Sequence, residues 1–178
     1  MLVLLLSFAI VALDQVTKYL VRVHFYPGEG VSIVPGLFNL AFVRNTGAAW
    51  GMFGGFNGWL ALLSVVILAL IVVFRRSFLT GVLIHRIALG LMVGGIIGNL
   101  IDRLRLQYVV DFLDFHWKAT YHFPAFNVAD ASICVGVLVY MLSTFILTSH
   151  PLKGNGNSAG PQAQDPANAD HSTPDSGR

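Results

Sequence analysis

Residues 128–148 read VADASICVGVLVYMLSTFILT, an apolar run whose one charged side chain, Asp130, falls in its first turn. A helix of roughly 20 residues is about 30 Å long, the thickness of the hydrocarbon core of a bilayer. The run therefore predicts a membrane-spanning helix. An ionisable side chain at the end of such a helix is costly and often functional, so Asp130 is the first candidate site residue.

Three further apolar runs cover residues 1–23, 59–74 and 84–101. Across the chain 55% of residues are hydrophobic and 11% are charged, a composition typical of membrane proteins. The first run lacks the basic start and the small-residue cleavage site of a secretory signal peptide, and it carries Asp14 and Lys18, so we predict a retained helix. Together the runs predict an all-α polytopic membrane protein with four transmembrane helices.

The basic residues of the loops predict an orientation. The break between the second and third runs holds Arg75, Arg76 and Arg86 and no acid, which the positive-inside rule assigns to the cytoplasm. The break at 24–58 holds one basic residue, Arg44, so it should face outward and both termini should be cytoplasmic. The third break is ambiguous by charge and is assigned to the outside by alternation. The net charge of +2 is then a signal of topology and not of nucleic-acid binding.

Both outward loops contain sequence patterns that are not expected of simple linkers. Apolar and polar side chains alternate in residues 37–45, LFNLAFVRN, and residues 108–117, YVVDFLDFHW, are β-prone, so we predict a small β-rich subdomain at the outer membrane surface. Residues 47–58, GAAWGMFGGFNG, mix glycines with aromatics and are typical of a mobile interfacial segment that dips into the lipid headgroups. Its aromatic side chains are Trp50, Phe53 and Phe56.

The composition changes near residue 150. Residues 1–150 are expected to form one four-helix transmembrane domain that includes outer loops 24–58 and 102–127. From Lys153 onward no large apolar residue occurs, so residues 151–178 are expected to form a disordered polar cytoplasmic tail.

Polar and small residues at helical spacing indicate how the helices pack. Asp14 and Lys18 lie four residues apart on one helical face, where they can neutralise each other. In the third helix Gly90, Gly94 and Gly98 strip one face of side chains, so a neighbouring backbone can approach closely.

Asn99 and Arg103 follow these glycines and project from one side of the helix toward its outer end. Alone, this pair is equally consistent with a functional site and with an interfacial anchor. Their neighbour Asp102 should point elsewhere on the helix and meet water or a surface partner.

Two acids lie close to an outer membrane end, Asp111 and Asp130, and each has an ordinary explanation. With Asn127 as N-cap, Asp130 stands where a carboxylate bonds back to the backbone and interacts favourably with the helix dipole. Asp111 lies in an outward loop, where an acid is usually solvated, as Asp114 is expected to be. Taken together, the two acids suggest a carboxylate pair.

Two carboxyls in one site cannot both ionise freely, so one stays protonated near neutral pH. The ionised group can take a proton from a water molecule that attacks an amide carbon, while the protonated group donates to the amide oxygen. The helix N-terminus favours Asp130 as base and Asp111 as acid, but the pair titrates as a unit and the reverse assignment stays open. Candidates to satisfy the carboxylates and the oxyanion are Asn45, Asn99, Arg103 and Asn127.

The polar clusters occur in the order and company of a known family. Four segments resemble the signature segments of bacterial lipoprotein signal peptidase, also called signal peptidase II, an aspartic protease of the inner membrane: LDQVTK (13–18), NTGAAWG (45–51), GNLIDRLRLQYVVDF (98–112) and FPAFNVADASI (123–133). The resemblance covers residues 11–148. Departures are small: Gln107 stands where a glycine is expected, and Trp50 and Gly51 replace a more usual Phe and Ser. The first departure could alter the turn that leads to Asp111.

The resemblance implies that Asp111 and Asp130 are the catalytic pair. It also implies supporting roles for six residues: Asp14, Lys18, Asn45, Asn99, Arg103 and Asn127. In the family, the first two of these serve structure or substrate positioning more than bond breaking.

The resemblance further implies the substrate and the location. The substrate would be a lipoprotein precursor whose lipobox cysteine bears a diacylglyceryl group, and the cut would fall just before that cysteine. The enzyme would lie in the bacterial inner membrane, in contact with lipid, with its active site near the outer leaflet. We expect a monomer without a cofactor or a metal.

Other classes of protein fit less well. An ion-coupled transporter or channel would also hold membrane acids, but the chain is small, has no visible repeat, and clusters its polar residues toward one face. A lipid-binding membrane scaffold without chemistry is a second alternative. The chain has no H-E-x-x-H, G-x-S-x-G or G-x-G-D motif of other membrane proteases, and its histidines lack ligand spacing on a common element.

The single cysteine, Cys134, is expected to be a small packed hydrophobe.

Overall fold

A computed structural model describes residues 1–47, 55–78, 82–117 and 121–149 of the chain. In chain order the elements are α1 (Leu2–His24), β1 (Gly30–Val34), β2 (Phe38–Asn45), α2 (Asn57–Val73), α3 (Arg75–Phe78), α4 (Leu83–Leu106), β3 (Val109–Trp117), β4 (Tyr121–His122) and α5 (Val128–Ser149). The fold is therefore mostly helical, with one small sheet.

Three helices, α1, α4 and α5, are long and apolar enough to cross a membrane. They correspond to the first, third and fourth apolar runs of the sequence. The second run forms α2, which is apolar but has only 17 residues. The prediction of several membrane-spanning helices is confirmed, and the count of four stays a prediction.

Helix α4 is central and packs against α1, α2 and α5. The predicted close approach at its glycines is confirmed: a Cβ atom on Gly94 would lie 2.8 Å from Ile10 Cβ of α1, and one on Gly98 would lie 2.6 Å from Asp14 Oδ2. Gly95, on the adjacent face, contacts α5 in the same way, because a Cβ there would lie 2.7 Å from Ile133 Cγ1. The small residues of α4 thus let two helices approach it closely.

The predicted sheet is confirmed, with antiparallel strands in the order β1-β2-β3-β4. It packs on the last part of α1 through a buried apolar cluster of Val21, Phe42, Val110 and Phe112. Within the β2–β3 pairing, the register shifts between Leu40 and Val43. The sheet therefore lies at one end of the helices and carries Asp111 on its third strand.

Gln107 ends α4 in the left-handed conformation, with φ 66° and ψ 12°. A glycine adopts this conformation without strain, which is the physical reason why Gln107 is an unusual residue here. Its side-chain Oε1 accepts a hydrogen bond from Asn57 Nδ2 at 3.2 Å, and the same Nδ2 donates to the Arg103 carbonyl oxygen at 3.1 Å. This turn thus joins the start of α2 to the end of α4.

One side-chain prediction is wrong, and others fall on undescribed residues. Cys134 is exposed and is not a packed core residue, because it lines a cavity instead of packing against another helix. Trp50 and Phe53 of the proposed interfacial segment, and the tail 151–178, lie outside the described residues. Phe56, from the same segment, is exposed.

Candidate active site

Asp111 and Asp130 line one cavity of about 400 Å³ at the sheet-bearing end of the helices. Asp111 is the third residue of β3 and Asp130 is the third residue of α5. The cavity is mostly apolar, and its lining also includes Asn45, Arg103, Phe123, Phe126 and Cys134. The fold thus brings together two acids from different elements, one on a strand and one at the start of a helix.

The Asp111 carboxyl is 1% exposed and accepts two amide hydrogen bonds. Asn127 Nδ2 donates to its Oδ1 at 2.7 Å, and Asn45 Nδ2 donates to its Oδ2 at 2.9 Å. Burial, and then the negative charge of Asp130, raise the pKa of Asp111 from 3.8 to about 7, while the two amide donors act in the opposite direction. Near neutral pH, Asp111 is therefore divided between its protonated and ionised forms.

The Asp130 carboxylate is held by the start of its own helix and by α4. Its Oδ1 accepts from Asn99 Nδ2 at 2.7 Å, and its Oδ2 accepts from the Asn127 backbone N–H at 3.3 Å. The Asp130 backbone N–H donates to Asn127 Oδ1 at 2.9 Å. This reciprocal pair is the N-terminal cap that the sequence predicts, and Asn127 contacts both aspartates.

Behind the aspartates, Lys18 lies buried among three oxygen atoms. Its Nζ is 2.9 Å from Asp14 Oδ2, 3.2 Å from Asp102 Oδ2, and 2.9 Å from Asn99 Oδ1. The predicted Asp14–Lys18 pair is therefore confirmed. Because Lys18 donates to the Asn99 oxygen, the Asn99 amide nitrogen is directed to Asp130.

Asp14 reaches α5 as well, since its Oδ1 accepts from the Ala129 backbone N–H at 2.9 Å. Ala129 immediately precedes Asp130. A carboxylate at the first turn of a helix satisfies a backbone donor that has no partner within the helix. Asp14 thus positions the start of α5 without lining the aspartate cavity.

The expectation that Asp102 meets water is wrong. Asp102 is 2% exposed, and its Oδ2 accepts from the Val110 backbone N–H at 3.0 Å in addition to its ion pair with Lys18. Its Oδ1 accepts from Gln15 Nε2 at 3.1 Å. Asp102 lies four residues after Gly98, the glycine that meets Asp14, and this spacing could have placed it on the face toward α1. Gln15 was also missed, and only its position beside Asp14 could have signalled it.

Within the described ranges, no three His, Cys, Asp or Glu side chains are grouped so that they could hold a metal ion. The carboxylates of Asp111 and Asp130 are occupied by amide donors. The expectation of a site without metal or cofactor stays a prediction.

A family model for signal peptidase (SPase) II matches residues 6–146. The chain belongs to the signal peptidase II family. The matched range contains all eight residues proposed for the site from the sequence. Membership makes the chain a peptidase, and its apolar helices make it a multi-pass membrane protein.

Two curated relatives illustrate the similarity within signal peptidase II. The lipoprotein signal peptidase of Listeria monocytogenes serovar 1/2a is 38% identical over 142 residues, which cover 80% of this chain and 92% of the relative. The lipoprotein signal peptidase of Shewanella loihica is 44% identical over 142 residues, covering 78% of this chain and 82% of the relative.

Two solved structures are similar to this chain in fold. A bacterial membrane enzyme determined by the in meso method at 2.3 Å resolution is 32% identical and superposes with a TM-score of 0.77, covering 85% of this chain and 92% of that one. A second, at 1.9 Å resolution, is 33% identical with a TM-score of 0.70, covering 80% and 91%. The helices and sheet described above are thus similar to those of solved membrane enzymes.

In this signal peptidase II chain, Arg103 brings a positive charge to the aspartate cavity. Its Nη2 donates to the Gly47 carbonyl oxygen at 3.5 Å. Its Nε is buried and has no hydrogen-bond partner among the described residues. A buried donor without a partner is costly, so this N–H is available to an acceptor that enters the cavity.

Proposed function

We propose that the chain is an aspartic endopeptidase that removes the signal peptide from diacylglyceryl-modified lipoprotein precursors by cleaving just before the lipidated cysteine. The observation that carries the proposal is the pair of carboxyls, Asp111 and Asp130, that share one apolar cavity and one bridging residue, Asn127, whose side chain donates to Asp111 and whose backbone N–H donates to Asp130. The printed names of the relatives, lipoprotein signal peptidase, support the substrate class.

In the proposed reaction, ionised Asp130 takes a proton from a water molecule, and the water oxygen attacks the scissile carbonyl carbon. Protonated Asp111 donates its proton to the carbonyl oxygen, which gives a neutral tetrahedral intermediate. The raised pKa of Asp111 supports its assignment as the acid. The amide donors to Asp130 and its place at a helix N-terminus support its assignment as the base.

The intermediate then collapses. Protonated Asp130 gives its proton to the leaving nitrogen, the C–N bond breaks, and ionised Asp111 takes back a proton from a hydroxyl of the intermediate, so both carboxyls regain their first state. The free Nε–H of Arg103 would bind an oxygen of the substrate near this centre. No covalent intermediate with the protein is needed.

The apolar surroundings support a lipid-modified substrate. A second cavity of about 460 Å³ lies between α2, α4 and α5, and Asn99, Arg103 and Asp130 are among its lining residues. The rest of its lining is almost entirely apolar, including Leu60, Ile67, Met92 and Ile133. Such a groove suits an acyl chain or an apolar signal helix, because burying apolar surface is favourable.

We further propose a topology for the whole chain. Residues 1–150 would form one domain with four membrane-spanning helices in the bacterial inner membrane, and residues 151–178 would form a polar cytoplasmic tail. The aspartates and the sheet would lie near the outer leaflet, with both termini cytoplasmic. The protein would act as a monomer. The arginines between α2 and α4 support this orientation.

The test of the activity is cleavage of a diacylglyceryl-modified precursor by the purified protein. The wild type is expected to cut before the modified cysteine, and Asp111→Asn and Asp130→Asn are each expected to lower kcat by at least about 10³-fold. Asp114→Asn is the matched control, because Asp114 lies on the same strand and bonds Asn39 outside the cavity. It should cleave at the wild-type rate.

Folding is monitored by thermal unfolding of each variant in the same detergent. If Asp111→Asn and Asp130→Asn are folded and cleave at the wild-type rate, the carboxyls are structural and the aspartic mechanism fails. If the wild type cleaves only precursors that lack the diacylglyceryl group, the substrate assignment fails.

A further inference from the structure

A separate cavity lies between the end of α1 and the face of β2 that carries Phe42 and Arg44. Its volume is about 410 Å³, and neither Asp111 nor Asp130 lines it. Its lining includes Arg22, His24, Tyr26, Phe42, Arg44 and Tyr108. We propose that this cavity, here called the arginine cavity, binds the phosphate of an anionic phospholipid headgroup.

The charge of the arginine cavity favours an anion. Among the described residues, neither Arg22 nor Arg44 lies within 4.0 Å of a carboxylate. The acid nearest in sequence is Glu29, whose Oε2 accepts from the Tyr26 backbone N–H at 2.7 Å and so closes a turn. Arg22 and Arg44 thus bring two guanidinium groups without a carboxylate partner to one cavity, and guanidinium groups bind phosphate oxygens through pairs of N–H donors.

Two side chains of the cavity, Arg44 and His24, are also positioned in advance. The Arg44 guanidinium lies 5.0 Å from the centre of the Tyr108 ring and 5.8 Å from that of Phe42, so cation–π contacts restrict it. His24 Nδ1 is 2.8 Å from the Leu20 carbonyl oxygen, a contact that requires a proton on Nδ1. A site with restricted side chains loses less conformational entropy on binding than a flexible surface does.

The neighbouring surface of α1 favours a lipid over a soluble phosphate. The turns that precede the cavity expose four large side chains, which are Val16, Tyr19, Leu20 and Val23. Because α1 is long and apolar enough to span a membrane, this face would meet acyl chains, while Arg22 lies at the end of the helix at headgroup level. A phospholipid could therefore contact the apolar face and the arginines at the same time.

This inference does not depend on the peptidase activity, because binding itself is measured. Full-length protein is reconstituted in nanodiscs of phosphatidylcholine with increasing phosphatidylglycerol, and native mass spectrometry counts the phosphatidylglycerol retained. We expect Arg22→Gln and Arg44→Gln each to weaken retention by about tenfold. Arg105→Gln is the matched control. Arg105 is an exposed arginine in the last turn of α4, as Arg22 is in the last turn of α1, but it does not line the arginine cavity. It should retain phosphatidylglycerol as the wild type does.

Two results would overturn the assignment. Retention by the folded Arg22→Gln/Arg44→Gln double variant at the wild-type level would mean that the cavity does not bind the headgroup. Displacement of phosphatidylglycerol by an equal concentration of glycerol phosphate or inorganic phosphate would mean that the ligand is a soluble phosphate compound and not a lipid. Arg44→Lys, which retains the charge but not the two-pronged geometry, should recover part of the retention if the fold is intact.

Discussion

Asp111 should make the reaction sensitive to pH near neutrality. Its pKa is raised to about 7, first by burial and then by the charge of Asp130. Because the proposed acid must be protonated, kcat/KM should fall as pH rises through about 7, by about tenfold for each further pH unit. The measurement is kcat/KM for one precursor between pH 5 and pH 10.

The control for this profile is Asp114→Asn, which should reproduce the wild-type alkaline midpoint. A rate that stays constant from pH 6 to pH 9, with a stable protein throughout, would contradict a protonated Asp111. The same profile measured with Asn45→Ala should have a higher midpoint, because Asn45 donates to the ionised carboxylate and its loss removes one contribution that lowers the pKa of Asp111.

Asp102 is expected to position Asp111 without touching the substrate. It accepts from the Val110 backbone N–H, one residue before Asp111, and it shares Lys18 with Asp14. Asp102→Ala should lower the free energy of unfolding by about 3–5 kcal/mol, because it leaves the buried Lys18 cation with one partner fewer and removes the carboxylate that accepts from the buried Val110 N–H. Thermal unfolding in detergent measures this loss.

Asp102→Asn separates positioning from folding. It preserves the shape of the side chain, so the protein should fold, but kcat/KM should fall by about tenfold as β3 shifts. The alkaline midpoint should stay near that of the wild type, because Asp102 is not among the groups that set the pKa of Asp111. Wild-type kcat/KM and stability in Asp102→Asn would contradict the positioning role.

The residues of the site differ in how far the sequence could predict them. Asp14 and Lys18 form a pair because four residues of one helix place them on one face, and that rule is local. The cap formed by Asn127 and Asp130 is local for the same reason. The contacts of Asp102 could not be predicted in this way, because its partners lie on α1 and β3. The spacing of residues within α4 does not indicate which neighbouring element this face of the helix contacts.

At the scale of elements, the contact between α4 and α5 decides where Asp130 lies. A Cβ atom at Gly95 would lie 2.7 Å from Ile133 Cγ1 and would also collide with the Ala129 backbone, which immediately precedes Asp130. Gly95→Ala should therefore separate the two helices, lower the free energy of unfolding by about 1–3 kcal/mol and reduce kcat. Unfolding and cleavage assays measure both effects.

Gly58→Ala is the matched helical control, because no atom of the described residues lies within 4 Å of a Cβ atom at Gly58 in α2. It should be neutral or should stabilise the protein by up to about 1 kcal/mol, since alanine favours a helix. Equal stability and equal kcat in the two variants would mean that the α4–α5 contact is more tolerant than its geometry indicates.

Hydropathy patterns in the sequence predict the helices and strands better than they predict the turns that join them. Long apolar runs predict α1, α4 and α5 because their length matches a bilayer, and alternation predicts β2. The turn at Gln107 could not be derived in this way. Its left-handed backbone is accompanied by a hydrogen bond from Asn57, which belongs to another helix, and such compensation is visible only in three dimensions.

For the whole molecule, the topology depends on whether α2 crosses the membrane. At about 1.5 Å per residue, its 17 residues cover about 26 Å, slightly less than the hydrocarbon core. A short helix can still span if the bilayer thins locally and if flanking arginines extend toward the headgroups. Arg75 and Arg76 follow α2 after one intervening residue, Phe74, and are exposed.

Two positions, Ser32 and Arg76, test this crossing, because α2 is the one long helix among the described residues between them. In a Cys134→Ala background, Ser32→Cys places a thiol on exposed β1, and Arg76→Cys places one on exposed α3. With a membrane-impermeant maleimide and intact spheroplasts, we expect Ser32→Cys to be labelled at once and Arg76→Cys only after permeabilisation, since basic loops are retained in the cytoplasm. Labelling of both without permeabilisation would mean that α2 does not cross, and the opposite pattern would mean that the aspartates face the cytoplasm.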